Sequence, residues 1–229
     1  MIVAIHQPQY MPWLGYFDKM DRSDVFVLLD NVQYKKREYQ NRNRIKTSQG
    51  WAWITVPVLE KSSWKINEVL INDTFEWRKR HLHALELNYR KSPYFENYID
   101  LFREFYLKEW RSLSDVNSAG VMLLRDILGI SSEVVRASDM EGLREEPTLR
   151  LIDICRKVGA DTYLSGRDGR NYMNMELFDE AGIRVLFQDF RHPVYPQLFG
   201  EFEYFMSVVD LLFNCGEDSI EVIRRENGE

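Results

Sequence analysis

The segment IVAIHQPQYMPWLGYFDKM, residues 2–20, decides the fold of this chain. Residues 2–5 are apolar and mostly β-branched, which predicts a short buried strand that ends at His6. Residues 13–24, WLGYFDKMDRSD, are compatible with a helix of about two to three turns, and residues 25–30, VFVLLD, predict a second strand. A strand, a helix and a strand within about 30 residues form a βαβ unit, which implies parallel pairing and a right-handed crossover.

Strands and helices alternate along most of the remaining chain. The predicted strands are GWAWITVPV (50–58), WKINEVLIN (64–72), EVVRAS (133–138), ADTYLS (160–165) and IRVLFQDF (183–190). The predicted helices are 75–110, capped by Asp73 or Thr74 and broken at Ser92-Pro93, then 117–129, 147–158, 176–182 and 204–214. This alternation is typical of an α/β fold, a mainly parallel, Rossmann-like sheet with flanking helices. We expect one domain over residues 1–229, with the helical stretch 75–130 as an insertion or cap.

Length and composition limit the class of protein. The chain has 229 residues, of which 45% are hydrophobic and 29% charged, so it can bury a core without a disulfide or a metal. Cys155 and Cys215 lie far apart in apolar runs and are expected to be buried free thiols. No apolar run reaches the roughly 18 residues that span a bilayer, and the start lacks the features of a signal peptide. A cytoplasmic protein is therefore expected.

Charge is distributed unevenly along the chain. A net charge of −6 disfavours binding to nucleic acid or to an anionic membrane. Residues 35–46 nevertheless hold six basic side chains and one acid, Glu38. The basic residues are Lys35, Lys36, Arg37, Arg42, Arg44 and Lys46. This cationic loop is either a solvated surface or a site for phosphate or carboxylate, which arginine and lysine commonly bind.

Polar side chains follow four predicted strands at their carboxyl ends. Ligands of open α/β sheets bind at these ends, so we expect one convergent site. Its candidate residues are His6 and Gln7 after the first strand, Asp30, Gln33 and Tyr34 after the second, Ser165, Gly166 and Arg167 after ADTYLS, and His192 after IRVLFQDF. In the loop after His6, prolines add stiffness, and Gly15 permits a close approach of the backbone to other backbone or to a ligand.

Two loops have the composition of anion-binding segments. QNRNRIKTSQG, residues 40–50, offers amides and cations at Asn41, Arg42, Asn43, Arg44 and Lys46. SGRDGRNY, residues 165–172, has two glycines that let amides point inward, and arginine supplies charge. Solvated turns remain the alternative for both. The chain has no Walker motif, GxGxxG, HExxH, Cys/His cluster or GxSxG elbow, which disfavours a metal site and a serine triad.

Two polar residues interrupt the last apolar helix. Asp210 and Asn214 are four positions apart and therefore share one face. Because buried polar groups need partners, we expect them to hydrogen-bond to the site loops from behind. An ordinary surface stripe is the alternative.

Several long motifs resemble those of the WbqC-like family. They are HQPQYMPWLGYFDKM, FVLLDNVQYKK, NRNRIK, GWAWITVPV, GADTYLSGRDGRNYM and FQDFRHPVYPQLFGEFEYFMSVVDLLFN, and the likeness runs through nearly the whole chain, weakest from about residue 90 to 145. The resemblance implies a product of bacterial gene clusters for O-antigen (lipopolysaccharide) and related surface glycans.

A more distant likeness is to HIGH-type nucleotidyltransferases and pantothenate synthetase-like ligases. It rests on the first strand, a glycine-containing loop, a helix, a second strand and a late SGR loop, and it implies phosphate binding by that loop. Where those enzymes carry paired histidines, this sequence has Pro12-Trp13-Leu14-Gly15-Tyr16, and only Gly15 fits. Chemistry through an adenylate is therefore in doubt.

The residues and the resemblance together suggest acyl or aminoacyl transfer to an amino sugar of a nucleotide-sugar. His6 would be the acid and base, because the pKa of imidazole lies near neutrality, and Asp30 would orient His6 or the substrate. Diphosphate would be bound by Arg42, Arg44, Lys46 and Arg167, and sugar or base would stack on Tyr10, Trp13 and Tyr34. The other expected substrate contacts are Gln7, Gly15, Gln33, Asn41, Asn43, Ser165, Gly166, Tyr172 and His192.

Two other functions stay open at this stage. One is a non-catalytic nucleotide- or sugar-binding subunit that serves a partner protein of a glycan pathway. The other is an ATP-dependent enzyme of the nucleotidyltransferase or ligase kind. The sequence does not identify a cofactor; ATP and an acyl donor are the candidates, and no metal is expected.

Overall fold

The computed structural model describes residues 1–59 and 63–225. Within these ranges the strands are β1 (Ile2–His6), β2 (Val25–Leu28), β3 (Arg42–Thr47), β4 (Gly50–Thr55), β5 (Val58–Leu59), β6 (Leu70–Ile71), β7 (Glu133–Arg136), β8 (Thr162–Ser165) and β9 (Arg184–Phe187). The helices are α1 (Leu14–Asp21), α2 (Trp77–Tyr89), α3 (Phe95–Leu107), α4 (Leu113–Ile127), α5 (Pro147–Val158), α6 (Met175–Glu180), α7 (Val208–Cys215) and α8 (Ser219–Arg225).

A five-stranded sheet in the order β7-β2-β1-β8-β9 forms the centre of the molecule. All four neighbouring pairs are parallel. The chain runs outward from β1 to β2 and β7, then returns to β8 on the other side of β1 and continues to β9. The direction therefore reverses between β1 and β8, which is the topological switch point of a doubly wound sheet. The prediction of a mainly parallel, Rossmann-like α/β fold is confirmed.

Alternate residues of the central strands pack on opposite faces of the sheet. Ala4 and Phe26 join the core on the side of α1 and α7. Val3, Ile5 and Val27 join the core on the side of α5 and α6. Because both faces are covered, β1 is apolar at successive positions instead of alternating with polar residues.

Helix α5 begins where the sequence predicts. Pro147 occupies its first turn, and the carboxylate of Glu146 accepts a hydrogen bond from the Leu149 amide at 2.6 Å. The helix ends at Gly159, whose φ of +74° lies in the left-handed region that glycine enters without strain. Cys155 on this helix and Cys215 on α7 are free and buried, as expected.

Two predictions for the segment between β2 and β7 are wrong. Residues 42–47, predicted as a loop, form β3, which pairs antiparallel with β4 so that Arg44 lies opposite Trp53. Within the predicted strand 64–72, the paired strand is limited to β6, which pairs with β5, while Ile66–Glu68 form a 3₁₀ turn. Each pair forms a separate two-stranded sheet outside the central sheet.

Three helices follow in the stretch predicted as helical insertion. The break between α2 and α3 lies at Ser92-Pro93, as predicted, because proline disfavours a helical residue before it. The predicted caps are wrong: Glu76 precedes α2, and the Asp73 carboxylate instead accepts a hydrogen bond from the Trp77 indole at 3.3 Å. That these helices act as a cap stays a prediction. None of the helices over residues 1–59 and 63–225 combines the length and apolarity needed to cross a membrane.

Candidate functional site

A cavity of about 610 Å³ opens at the switch point between β1 and β8. Its walls come from the end of β1, from α1, from the turn after β8 and from the long irregular segment between β9 and α7. Predicted site residues that line it are His6, Gln7, Trp13, Gly166, Arg167, Tyr172 and His192. A larger cavity of about 830 Å³ lies beside the edge strand β7, where Arg136 and Asp115 are already joined at 2.9 Å. The cavity at the switch point is the candidate functional site, because polar atoms of His6 and Gln9 are buried there without a partner among the described residues.

His6 stands at the end of β1 in the wall of this cavity. Its ring packs against Tyr16 with 4.8 Å between centroids. Nδ1 has no hydrogen-bond partner in the described chain, and Nε2 has only a weak contact of 3.5 Å to the Gln9 amide nitrogen. Burial, and next the positive charge of Lys19, hold the pKa of His6 well below its usual value. The imidazole is therefore neutral near pH 7 and able to accept a proton.

Lys19 on α1 is a site residue that sequence reasoning missed. Its side chain lines the cavity although only 2% of the residue is exposed. Nζ donates one hydrogen bond, to the Ile5 carbonyl at 3.2 Å, and burial lowers its pKa to about 7. A usable signal was the four-residue spacing from Gly15, which places both residues on the helix face directed at the end of β1.

Gln188 connects the end of β9 to α1. Its amide nitrogen donates to the Gly15 carbonyl at 2.8 Å and to the Asp18 carboxylate at 2.6 Å. Gly15 is needed for a close approach, but to the indole of Trp13, since a β-carbon there would lie within 2.4 Å of that ring. The sequence predicts a close approach of Gly15 to backbone or to a ligand. In the structure, Gly15 instead packs against the Trp13 side chain of the same loop.

One wall of the cavity is aromatic. Trp13 meets Phe190 edge-on at 5.3 Å and Phe205 at 5.7 Å between ring centroids. Phe205 has a φ of +61°, a strained conformation for a residue other than glycine. His192 fixes this wall: its Nδ1 donates to the Pro193 carbonyl at 2.8 Å, and its Nε2 accepts from the Phe205 amide at 3.2 Å. With both nitrogens occupied, His192 presents an aromatic face to the cavity and no free polar atom.

The turn after β8 forms the mouth of the cavity. Ser165 is fully buried beneath Gly169, where a β-carbon would lie 2.1 Å from the serine Oγ. Arg167 is 71% exposed and pairs with Asp189 at 2.6 Å, and Tyr172 is also exposed. Arg167 and Tyr172 are therefore placed where a ligand enters, and Ser165 supports the turn from inside.

Asp30 does not contact His6, contrary to one of its two expected roles. Its carboxylate is fully buried and accepts hydrogen bonds from the Ser114 hydroxyl at 2.8 Å and from the Ser138 amide and hydroxyl at 3.0 and 2.9 Å. The chain inserted after β2 supplies Ser114 on α4 and covers this strand end. Asp30 thus joins α4 to the sheet.

Other predicted contacts belong to the packed interior. Tyr10 is fully buried, and its hydroxyl meets His81 Nδ1 at 2.9 Å and the Tyr106 hydroxyl at 2.7 Å. Asn41 and Asn43 donate to backbone carbonyls, of Val56 at 2.9 Å and of Met11 at 2.7 Å. These three side chains form hydrogen bonds within the packed interior and do not line the cavity.

The second strand's other candidates also lie away from the cavity wall. Tyr34 is buried, and its amide donates to the Trp64 carbonyl at 2.9 Å. Gln33 forms an isolated antiparallel bridge with Lys65. Both residues are held by the 64–65 segment and do not line the site at the switch point.

The basic residues of β3 do not line the cavity either. The guanidinium of Arg42 lies 4.1 Å from the Trp53 ring centroid, and that of Arg44 lies 5.2 Å from Trp51. Lys46 is 2% exposed; its Nζ donates to Gln197 Oε1 at 3.1 Å and to the Glu201 carbonyl. Of the four basic residues predicted to bind diphosphate, Arg167 is the one that lines this cavity.

Asp210 anchors the segment between β9 and α7. Its buried carboxylate accepts from the hydroxyls of Tyr89 at 3.0 Å and Tyr195 at 2.8 Å, and from Gln197 Nε2 at 2.8 Å. Burial raises its pKa to about 6, against the effect of these donors. Asn214 instead donates to the Asp210 backbone carbonyl at 2.7 Å, so the prediction that it contacts the site loops is wrong.

Comparison with known proteins gives a consistent assignment. Residues 7–222 match the WbqC-like protein family. The chain is 42% identical over 226 residues to uncharacterized protein Rv1507c of Mycobacterium tuberculosis (strain ATCC 25618 / H37Rv), which covers 97% of each chain. No solved structure matches. Most residues that line the switch-point cavity lie inside the matched range. The family match and the relative together show that the chain belongs to the WbqC-like protein family.

Proposed function

We propose that this protein transfers an acyl or aminoacyl group to the amino group of a nucleotide-linked sugar in the synthesis of a bacterial surface glycan. The observation that carries the proposal is the neutral imidazole of His6 in the wall of the switch-point cavity, whose buried Nδ1 has no hydrogen-bond partner among the described residues. The glycan pathway is inferred from the family resemblance, and the reaction from the site.

The chemistry requires one proton acceptor beside the amine. As the sugar nitrogen bonds to the acyl carbon, it loses a proton, and His6 takes it. The bond from the acyl carbon to its leaving group then breaks, and the protonated imidazole returns the proton to that group. An imidazole whose pKa is held low by burial and by Lys19 is in the basic form at neutral pH.

The shape of the cavity suits a nucleotide-sugar. Its volume of about 610 Å³ falls within the range of pockets for small ligands. Trp13 and Phe205 supply apolar surface for the faces of a sugar or a base. Arg167 at the mouth supplies a cation for a diphosphate.

The direct test replaces His6 and follows turnover. Purified protein is first screened for thermal stabilisation by ATP, UDP- and dTDP-sugars and acyl-CoAs, since a ligand that binds the native state raises its stability. With the ligands found, His6→Ala is expected to lower the rate by roughly 10² to 10⁴, while its melting temperature stays close to that of the wild type.

His83→Ala is the matched control, because His83 is exposed on α2 and does not line the cavity. It should keep full turnover. A normal rate in His6→Ala would remove the acid and base role. Ligand binding without turnover in the wild type would instead favour a binding subunit, and stabilisation by ATP would favour a ligase.

A further inference from the structure

We propose that the inner wall of the switch-point cavity binds a carboxylate of the substrate on Lys19, so that the sugar is a sugar acid. This inference rests on the proposed function and narrows its substrate class: a nucleotide-linked sugar that carries a carboxylate in addition to the acceptor amine. Lys19 is in this view a specificity-determining residue beside His6.

The first argument is the hydrogen bonding of Lys19. In its protonated form the Lys19 amine has three N–H donors, and one of them is used, toward the Ile5 carbonyl at 3.2 Å. The residue is 2% exposed, so bulk water reaches it little, yet it lines the cavity. The unused donors are therefore available to a group that enters the cavity.

The second argument is the missing counter-charge. No carboxylate of the described chain forms an ion pair with Lys19, and buried ammonium groups are ordinarily paired. Asp18, its neighbour in sequence, already accepts a hydrogen bond from Gln188 at 2.6 Å and lies 3.7 Å from Arg22. A carboxylate on the ligand would complete the pairing.

The third argument is the contrast between the two ends of the cavity. Arg167 at the mouth is exposed and suits the diphosphate, while Lys19 is the enclosed cation. A single ammonium with two unused donors matches the two oxygens of a carboxylate. A ligand with anionic groups at both ends would occupy both cations.

Binding of a carboxylate at Lys19 would also raise the pKa of His6. The charge of Lys19 is one of the causes that lower the pKa of His6. A carboxylate beside Lys19 offsets that charge, so His6 becomes a stronger base when the correct substrate is bound. Substrate recognition and base strength are thereby coupled through two adjacent side chains.

The test compares UDP-glucuronic acid with UDP-glucose, which differ only at C6, where a carboxylate replaces a hydroxymethyl group. Calorimetric titration of the full chain should show about tenfold or greater preference for UDP-glucuronic acid, as a charge-assisted contact implies. Lys19→Met and Lys19→Gln should lose the preference. Lys157→Met, at an exposed position of α5, should retain it.

The outcomes separate this inference from the function on which it rests. Equal affinity of the wild type for the two sugars would overturn the carboxylate site and leave the nucleotide-sugar assignment standing. A preference for UDP-glucuronic acid that survives in both Lys19 variants would also overturn the carboxylate site at Lys19, because another group would then bind the carboxylate. Failure of both sugars to bind would overturn the nucleotide-sugar assignment together with the inference.

Discussion

Two buried lysines with equal exposure have opposite surroundings. Lys19 and Lys46 are each 2% exposed. Lys46 donates to Gln197 Oε1 and to the Glu201 carbonyl, and its charge acts on the nearby Asp210. Among the described residues, Lys19 donates to a single carbonyl and pairs with no acid. The two lysines are therefore equally buried but differ in the number of hydrogen bonds that they donate.

The same difference holds for the regions around the two residues. Near Lys46, the Asp210 carboxylate accepts three hydrogen bonds and holds the segment between β9 and α7 in place. Near the end of β1, polar atoms of His6, Gln9 and Tyr16 are buried without partners among the described residues. The Asp210 region is held by its own hydrogen bonds. The region around His6 and Lys19 has polar atoms whose hydrogen-bonding capacity is unused.

The largest effect on stability is expected at Asp210. Asp210→Ala would leave the buried hydroxyls of Tyr89 and Tyr195 without their acceptor and would remove one acceptor of Gln197 Nε2, which also donates to the Glu203 carbonyl. We expect a loss of about 3 to 5 kcal/mol in the free energy of unfolding, measured by denaturant titration. Asp179→Ala, at an exposed position of α6, should change it by less than about 0.5 kcal/mol. A loss below about 1 kcal/mol at Asp210 would contradict the supporting role.

An intermediate effect of opposite sign is expected at Lys19. Lys19→Met should raise the free energy of unfolding by about 1 to 3 kcal/mol at pH 7, because methionine fills similar space without an unpaired buried charge. Lys46→Met, which breaks a satisfied site, should lower it. A destabilised Lys19→Met variant would show that Lys19 has a structural role, as Lys46 does.

The pH dependence of the Lys19 effect has a definite sign. In the folded chain Lys19 loses its proton near pH 7, and in the unfolded chain near its ordinary value of 10.5. The folded state therefore binds fewer protons between these values, so wild-type stability rises with pH there. The advantage of Lys19→Met should accordingly shrink from pH 7 to pH 10. An advantage independent of pH would mean that the pKa is not lowered.

The smallest effect on stability is expected at the mouth of the cavity. Arg167 and Asp189 are 71% and 73% exposed, and exposed ion pairs contribute little. Arg167→Ala should change the free energy of unfolding by less than about 0.5 kcal/mol while it weakens nucleotide-sugar binding several-fold. Unchanged affinity in a titration would show that the mouth does not bind the diphosphate.

The local pattern of the chain determined the fold class and the position of His6 in the candidate site. The β-branched run before His6 predicts β1, and the following βαβ unit places His6 at the carboxyl end of the sheet. Pro147 and Ser92-Pro93 mark helix boundaries because their effect on the backbone is local. Properties that depend on neighbours in sequence could therefore be predicted.

Tertiary structure alone decided which polar residues reach the cavity. Asp30 and Tyr10 look like site residues in the sequence, but the chain inserted between β2 and β7 covers them. Lys19 looks like a surface residue of an amphipathic helix, yet α1 is enclosed on nearly all sides. Burial and hydrogen-bond satisfaction are set by segments more than 60 residues away, such as those of Ser114 and His81, and no local pattern encodes them.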